Sequence, residues 1–161
     1  MTTAPLKARV LDAMSSVLKP AGFNKRGSVF QRPTANVVHL VSLQSSASST
    51  ALRCRVTVNL AVWVPRLYPT RKPDVWDSPW QQRLGLVMPE PRDRWWQVES
   101  DPTAEAAGVE IRTALTCFAL PALDALASES ALLDLWRSGK GTTAGRAANL
   151  VRILGGDPAT G

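Results

Sequence analysis

The chain has 161 residues, the size of one domain, and can bury a core without covalent staples. Its 45% apolar and 20% charged residues exclude wholesale disorder, and no stretch approaches eighteen consecutive apolar residues, which argues against a membrane span. The formal charge of +6 is uneven: residues 1–100 carry 14 Lys and Arg against 6 Asp and Glu, residues 101–161 carry 5 against 7, so the first half attracts phosphate, acidic protein surfaces or anionic small molecules.

Leu6, Val10, Met14, Val17 and Leu18 recur at spacings of three and four and predict a helix from about Pro5 to Leu18. Lys19-Pro20-Ala21-Gly22 ends it. Lys7, Arg9 and Asp12 interrupt its hydrophobics, so the N-terminus does not read as a signal peptide, and a reduced cytoplasmic setting is expected. Asn24 to Gly27 reads as a basic turn, Ser28 to Arg32 as a short strand closed by Pro33, and Val37 to Gln44 as a central strand. The Ser-rich run Ser45 to Thr50 connects this strand to the next as an antiparallel hairpin.

The next strand, Leu52 to Val64, has two chemically different faces. Leu52, Cys54, Val56, Val58, Leu60, Val62 and Val64 alternate with Arg53, Arg55, Thr57, Asn59, Ala61 and Trp63. The even face belongs to a core under a helical layer. Backbone ordering costs about 1–2 kcal/mol per residue, so the strand requires neighbours. Pro65, Pro69, Pro73 and Pro79 then forbid regular structure and predict a long loop, of a length that is often functional. Arg83 to Met88 reads as a short strand, Pro89 to Arg94 as a turn and Trp95 to Glu99 as a strand.

From residue 101 the pattern is helical. Asp101-Pro102 reads as cap and first turn, Ala107, Ile111, Leu115 and Phe118 as a buried stripe, and Pro121 as a break or kink. Leu123 to Trp136 carries further helix capped by Ser128 or Ser130, and Thr142 caps a last helix bearing Ala147, Leu150, Val151 and Leu154. The end, from Gly155, is expected to be disordered. The fold class expected is α+β in two layers: an antiparallel sheet of 4–5 strands packed against an N-terminal helix and C-terminal helices.

Leu18-Lys19-Pro20-Ala21-Gly22-Phe23, Lys25-Arg26-Gly27, Phe30-Gln31-Arg32, Leu43-Gln44-Ser45, Thr57-Val58-Asn59-Leu60, Arg83-Leu84-Gly85 and Trp95-Trp96, in this order and spacing, resemble the bacterial family known as domain of unknown function 4304. The resemblance spans about residues 5–136 and implies an α+β domain without implying an activity. Residues 1–136 are therefore taken as one domain, and 137–161 as a partly helical extension.

No motif for catalysis stands out. His39 is the one histidine, on a mainly apolar strand face, which excludes most Ser-His and Cys-His arrangements and multi-histidine metal sites. Cys54 and Cys117 stand far apart without a Cys-x-x-Cys pair and read as small buried hydrophobes. Neither a phosphate loop nor a dinucleotide fingerprint is present, so no metal or cofactor is expected. Asp74, Asp77, Glu90, Asp93 and Glu99 lie in or beside loops at spacings that demand no acid/base pair, and Asp93 suits pairing with Arg92 or Arg94.

The odd face of the long strand is the better constellation. Arg53, Arg55, Asn59 and Trp63, with Arg66, Tyr68, Arg71, Lys72 and Trp76 from the loop, predict a basic and aromatic surface. Arginine stems and Trp63 that merely cover the sheet under the loop would explain the same residues. The function expected is a non-enzymatic binding module for a protein with an acidic surface. Nucleic-acid binding through the same face, or an enzyme acting on an anionic small molecule under a loop lid, are the alternatives.

Overall fold

The computed structural model describes residues 4–50, 53–140 and 144–155. The first helix, α1 (Ala4–Leu18), is followed by strands β1 (Asn24–Arg26), β2 (Val29–Pro33), β3 (Val38–Ser45), β4 (Arg55–Trp63), β5 (Trp80–Arg83) and β6 (Trp96–Gln97). Helices α2 (Asp101–Ala114), α3 (Leu120–Asp124), α4 (Glu129–Arg137) and α5 (Ala144–Gly155) complete the chain. The sheet is antiparallel in the order β1-β2-β3-β4-β5, with β6 pairing β4 beyond the end of β5. The fold is therefore the α+β arrangement expected, with helices on one side of the sheet.

Alternation in β4 decides which side that is. Cys54, Val56, Val58, Leu60, Val62 and Val64 are buried with Val10, Met14 and Leu18 of α1 and with Ala104, Ala107 and Ile111 of α2. Each large apolar side chain removed from water contributes roughly 1.5–3 kcal/mol. One helical run, Asp101–Asp124, is long and apolar enough to cross a membrane by length and composition; here its apolar face, including Ile111, Leu115 and Leu123, is buried in the core. α5 adds Ala147, Leu150 and Leu154 to the same cluster.

Several boundaries differ from the sequence expectation. Residues 24–26, expected as a turn, form β1, because the register Arg26↔Val29 leaves only Gly27 and Ser28 in the turn and Gly27 takes the φ of 59° that it needs. The strand expected at 83–88 instead spans Trp80–Arg83 and gives way to a 3-10 turn at Leu84–Val87; Trp80 joins the core, and a proline just before a strand costs no ladder bond. Of the strand expected at 95–99, only Trp96–Gln97 pairs with β4. The cap of α2 is Ser100, not Asp101: its hydroxyl accepts from the Thr103 N–H in a reciprocal capping box. Pro121 does not stop the helix, because a π-turn at Leu115–Ala119 lets the chain run on into α3 past a residue with no N–H to donate. Ser128 caps α4. Cys54 is buried as expected, whereas Cys117 is exposed, since the helix turns it away from the Ile111, Leu115 and Leu123 stripe. Leu52 on the core face, Thr142 as a cap and the expected disorder beyond Gly155 fall outside the described residues.

His39 illustrates how the layers are tied together. It is fully buried on β3; Arg32 Nη2 donates to its Nδ1 at 2.9 Å and its Nε2–H donates to the Leu126 carbonyl at 2.8 Å. Arg32 also reaches the Ala21 carbonyl, Asp124 and the Phe23 ring. Burial, with the Arg32 charge second to the Leu126 bond in size and opposite to it, holds the His39 pKa below its ordinary 6.5; Asp124 opposes the shift weakly. The folded state therefore resists a proton that the unfolded chain accepts, so stability is full above pH 6.5 and declines as pH falls below it. The urea midpoint is expected to be lower at pH 5.5 than at pH 7.5, and His39→Gln to flatten that difference; equal slopes in both proteins would remove His39 as the cause.

Candidate binding face

The side of the sheet away from the helices is set by the β-ladder registers. β4 contributes Arg55, Thr57, Asn59, Ala61 and Trp63, β3 contributes Val38, Leu40, Ser42 and Gln44, and β5 contributes Gln81 and Arg83. This face has two halves of different chemistry. At one end Val38, Leu40, Ala61 and Trp63 pack with Val75 and Tyr68 of the Pro-rich segment into a second, smaller apolar cluster. Trp63 stacks on Tyr68 with centroids 4.7 Å apart and is 1% exposed. Arg71 lies over both rings, 5.9 Å and 5.2 Å from their centroids, and pairs with Asp77. The Pro-rich segment is therefore seated on the sheet.

The other half is a polar network. Asn59 Nδ2 donates to Gln44 Oε1 at 2.9 Å and to Ser42 Oγ at 3.4 Å, and Asn59 Oδ1 accepts from Arg83 Nε at 3.1 Å. Arg83 Nη1 donates to both Asp93 carboxylate oxygens, at 2.9 and 3.0 Å, and the Trp95 indole N–H donates to Asp93 at 3.1 Å. The guanidiniums of Arg55 and Arg83 lie 5.5 Å and 5.0 Å from the Trp95 ring centroid. A backbone strap, residues 92–94, carries Asp93 to this place: the Arg92 N–H bonds the Gly85 carbonyl at 3.2 Å, and Thr57 Oγ1 donates to the Arg94 carbonyl at 2.7 Å. Gln44, Asn59, Arg83, Gly85 and Trp95 come from four of the segments on which the family resemblance rests, and they meet here.

The nine residues expected to bind do not form one continuous surface. Arg53 and Arg55 are exposed at the polar end, Arg53 with a loose contact to Glu99 at 3.9 Å. Asn59 is buried in the network and Trp63 under the Pro-rich segment. Tyr68 and Arg71 belong to the Trp63 stack, Lys72 is exposed, and Trp76 stands 59% exposed beyond it. Arg66 leaves the face altogether: it pairs with Glu129 at 3.2 Å and reaches the Leu154 carbonyl, tying the segment to α4 and α5. Sequence reasoning missed Arg83 and Trp95 as members of the face, although both sit in the quoted segments. It also gave Asp93 the wrong guanidinium, since Arg83, distant in sequence, takes it instead of Arg92 or Arg94. Three of the five loop carboxylates make structural contacts: Asp74 accepts the Trp76 N–H, Asp77 pairs with Arg71, and Asp93 with Arg83.

Fold and face define an α+β domain with helices on one side of an antiparallel sheet and a strapped, cationic and aromatic surface on the other. The chain belongs to the family described as Domain of unknown function (DUF4304), whose model matches residues 14–125. Neither a curated protein nor a solved structure matches it.

Proposed function

We propose that this chain is a non-enzymatic binding module that receives acidic groups of a protein partner on the outer sheet face, around Arg53, Arg55, Trp95 and Arg83. One observation carries the reading. Arg55 and Arg83 share the Trp95 ring, but Arg83 is neutralised by Asp93, whereas no described carboxylate pairs with Arg55. An exposed guanidinium held over an indole is already oriented, so a carboxylate can take it without much further loss of side-chain freedom. Arginine and tryptophan are also the types enriched among residues that dominate interfaces. The excess of positive charge in residues 1–100 speeds encounter with an acidic surface. Two unpaired thiols, Cys54 and Cys117, support a reducing, cytoplasmic setting. A protein is favoured over nucleic acid because the Trp95 ring already holds two guanidiniums in cation–π contact, which compete with a stacking base, while the open guanidinium of Arg55 suits a carboxylate.

The test is a lysate pull-down with and without nuclease, comparing wild type with an Arg53→Glu, Arg55→Glu double variant whose fold is checked by circular dichroism. Both side chains are exposed, so folding is expected to be unchanged. A captured protein that survives nuclease and is lost in the double variant is the expected result. Capture that disappears with nuclease would move the reading to nucleic acid, and equal capture by both forms would overturn it.

A further inference from the structure

The strap that carries Asp93 to the outer face has a reverse side, turned toward the helices. Trp95 reaches outward to Arg55 and Arg83, whereas the Trp96 indole N–H donates to Glu110 Oε2 of α2 at 2.7 Å. Two adjoining clefts between the strap and α2 share Arg94, Trp96 and Glu110. The first, of about 230 Å³, is walled by Met88, Trp96, Val109, Ala114 and Phe118. The second, of about 360 Å³, extends to Arg92, Asp93 and Trp95 and is the more polar. Small-molecule sites run from roughly 300 to 1,000 Å³. These clefts lie at the lower end of that range and suit a ligand the size of one amino acid.

The charges where the clefts meet describe the ligand. Arg94 is half-buried, its Nε is fully buried without an acceptor, and its guanidinium makes no hydrogen bond or ion pair with another described residue. Arg32, whose Nε is also unpartnered, differs: its other nitrogens bond the Ala21 carbonyl, His39 and Asp124. Burying a donor without an acceptor is unfavourable, and a carboxylate on Arg94 supplies one. Glu110 is exposed; one of its oxygens accepts the neutral Trp96 N–H, and no described cation pairs with it. It attracts an ammonium and repels a second carboxylate. Of the other charged groups, Asp93 is neutralised by Arg83, and Arg92 is exposed on the rim, where water and salt screen it. One cation, one anion and an apolar wall side by side match a zwitterion with an apolar side chain. A simple acid would satisfy Arg94 but face Glu110, and a simple amine would leave Arg94 unmet.

We infer that this cleft binds a free α-amino acid with an apolar side chain, its carboxylate on Arg94, its ammonium on Glu110 and its side chain against Met88 and Phe118. The site lies on the reverse of the strap from Arg55 and stands independently of the protein-partner reading. The full chain is titrated by calorimetry with L-leucine, L-methionine and L-phenylalanine. Whichever binds best is then compared with its des-amino acid and its decarboxylated amine, for phenylalanine 3-phenylpropionate and 2-phenylethylamine. Saturable binding of at least one amino acid is expected, with each analogue about ten-fold or more weaker, because each loses one charge-assisted bond. Arg94→Gln, its fold checked by circular dichroism, is expected to weaken the amino acid by a similar factor. If that variant does not fold, Glu110→Gln decides, since this side chain is exposed and its amide oxygen still accepts the Trp96 N–H. It is expected to weaken the amino acid about ten-fold and to leave the des-amino acid bound as well as before or better. No saturable binding by any of the three, equal binding of the amino acid and its des-amino acid, or unchanged affinity in Glu110→Gln overturns the proposal.

Discussion

Trp63→Ala is expected to lower the unfolding free energy by about 3–5 kcal/mol, the usual cost of deleting a buried aromatic. The indole is 1% exposed, packed among Val38, Leu40, Ala61 and Val75 and stacked on Tyr68. This cluster lies on the opposite side of the sheet from the helices, so the helical layer cannot collapse into the space that the substitution leaves. For a chain of this size each kcal/mol corresponds to about 2–4 °C in Tm. A second readout separates this site from an ordinary core position. The Pro-rich segment is held down by Trp63 through Tyr68, Val75 and Arg71, so the variant is expected to be cut by trypsin after Arg66 and Arg71 much faster than wild type. Trp63→Phe keeps a ring for the stack and is expected to recover most of both properties. A small loss of stability with unchanged cleavage would mean that the segment is held by Arg66 and its bonds to α4 and α5 instead.

Gly85→Ala is the second large effect, and it comes from backbone contact. A Cβ at this position would overlap the Arg92 carbonyl oxygen and approach the Arg94 nitrogen to 2.9 Å and its Cγ to 2.8 Å. Two of these three atoms are main chain and cannot move aside by changing rotamer, so the 92–94 strap itself must shift. Overpacking of this kind costs about 1–3 kcal/mol, and the rigid neighbours place Gly85 toward the upper end. Because the strap carries Asp93, the shift is also expected to break the Arg83–Asp93 pair and release Trp95. Urea unfolding measures the first effect; faster hydrogen exchange across residues 90–97 measures the second. Wild-type stability with wild-type protection would show that the strap tolerates a methyl group.

The legible parts of this fold are those whose information is local. The alternation in 55–63 shows which side of β4 meets the helices, the three-and-four spacing from Leu6 to Leu18 locates α1, and the serine pair Ser128 and Ser130 brackets the start of α4, where Ser128 is the cap. Each depends on side chains within a few residues of one another, so pattern and outcome agree. The misplaced elements depend on distant partners. β1 exists because β2 pairs with it, β5 starts at Trp80 because that indole fills the core, and of the strand expected at 95–99 only Trp96–Gln97 meets β4 in register. Pro121 is a local obstacle that the pattern shows, but the break it implies does not occur, because the π-turn before it keeps Leu115, Ala119 and Leu123 buried on one helical run.

The candidate face divides in the same way. By itself the sequence determined that Arg53, Arg55, Thr57, Asn59, Ala61 and Trp63 share the face turned from the core, because a period of two admits no other placement, and that this half of the chain is strongly cationic. Only the tertiary structure decided that Trp63 is covered while Arg55 is open, that Arg66 leaves for α4 and α5, and that Asp93 neutralises Arg83 and leaves Arg55 its charge. The reason is physical: which cations stay free follows from where the carboxylates, rings and carbonyls of distant segments come to rest, and chain order carries no record of those distances.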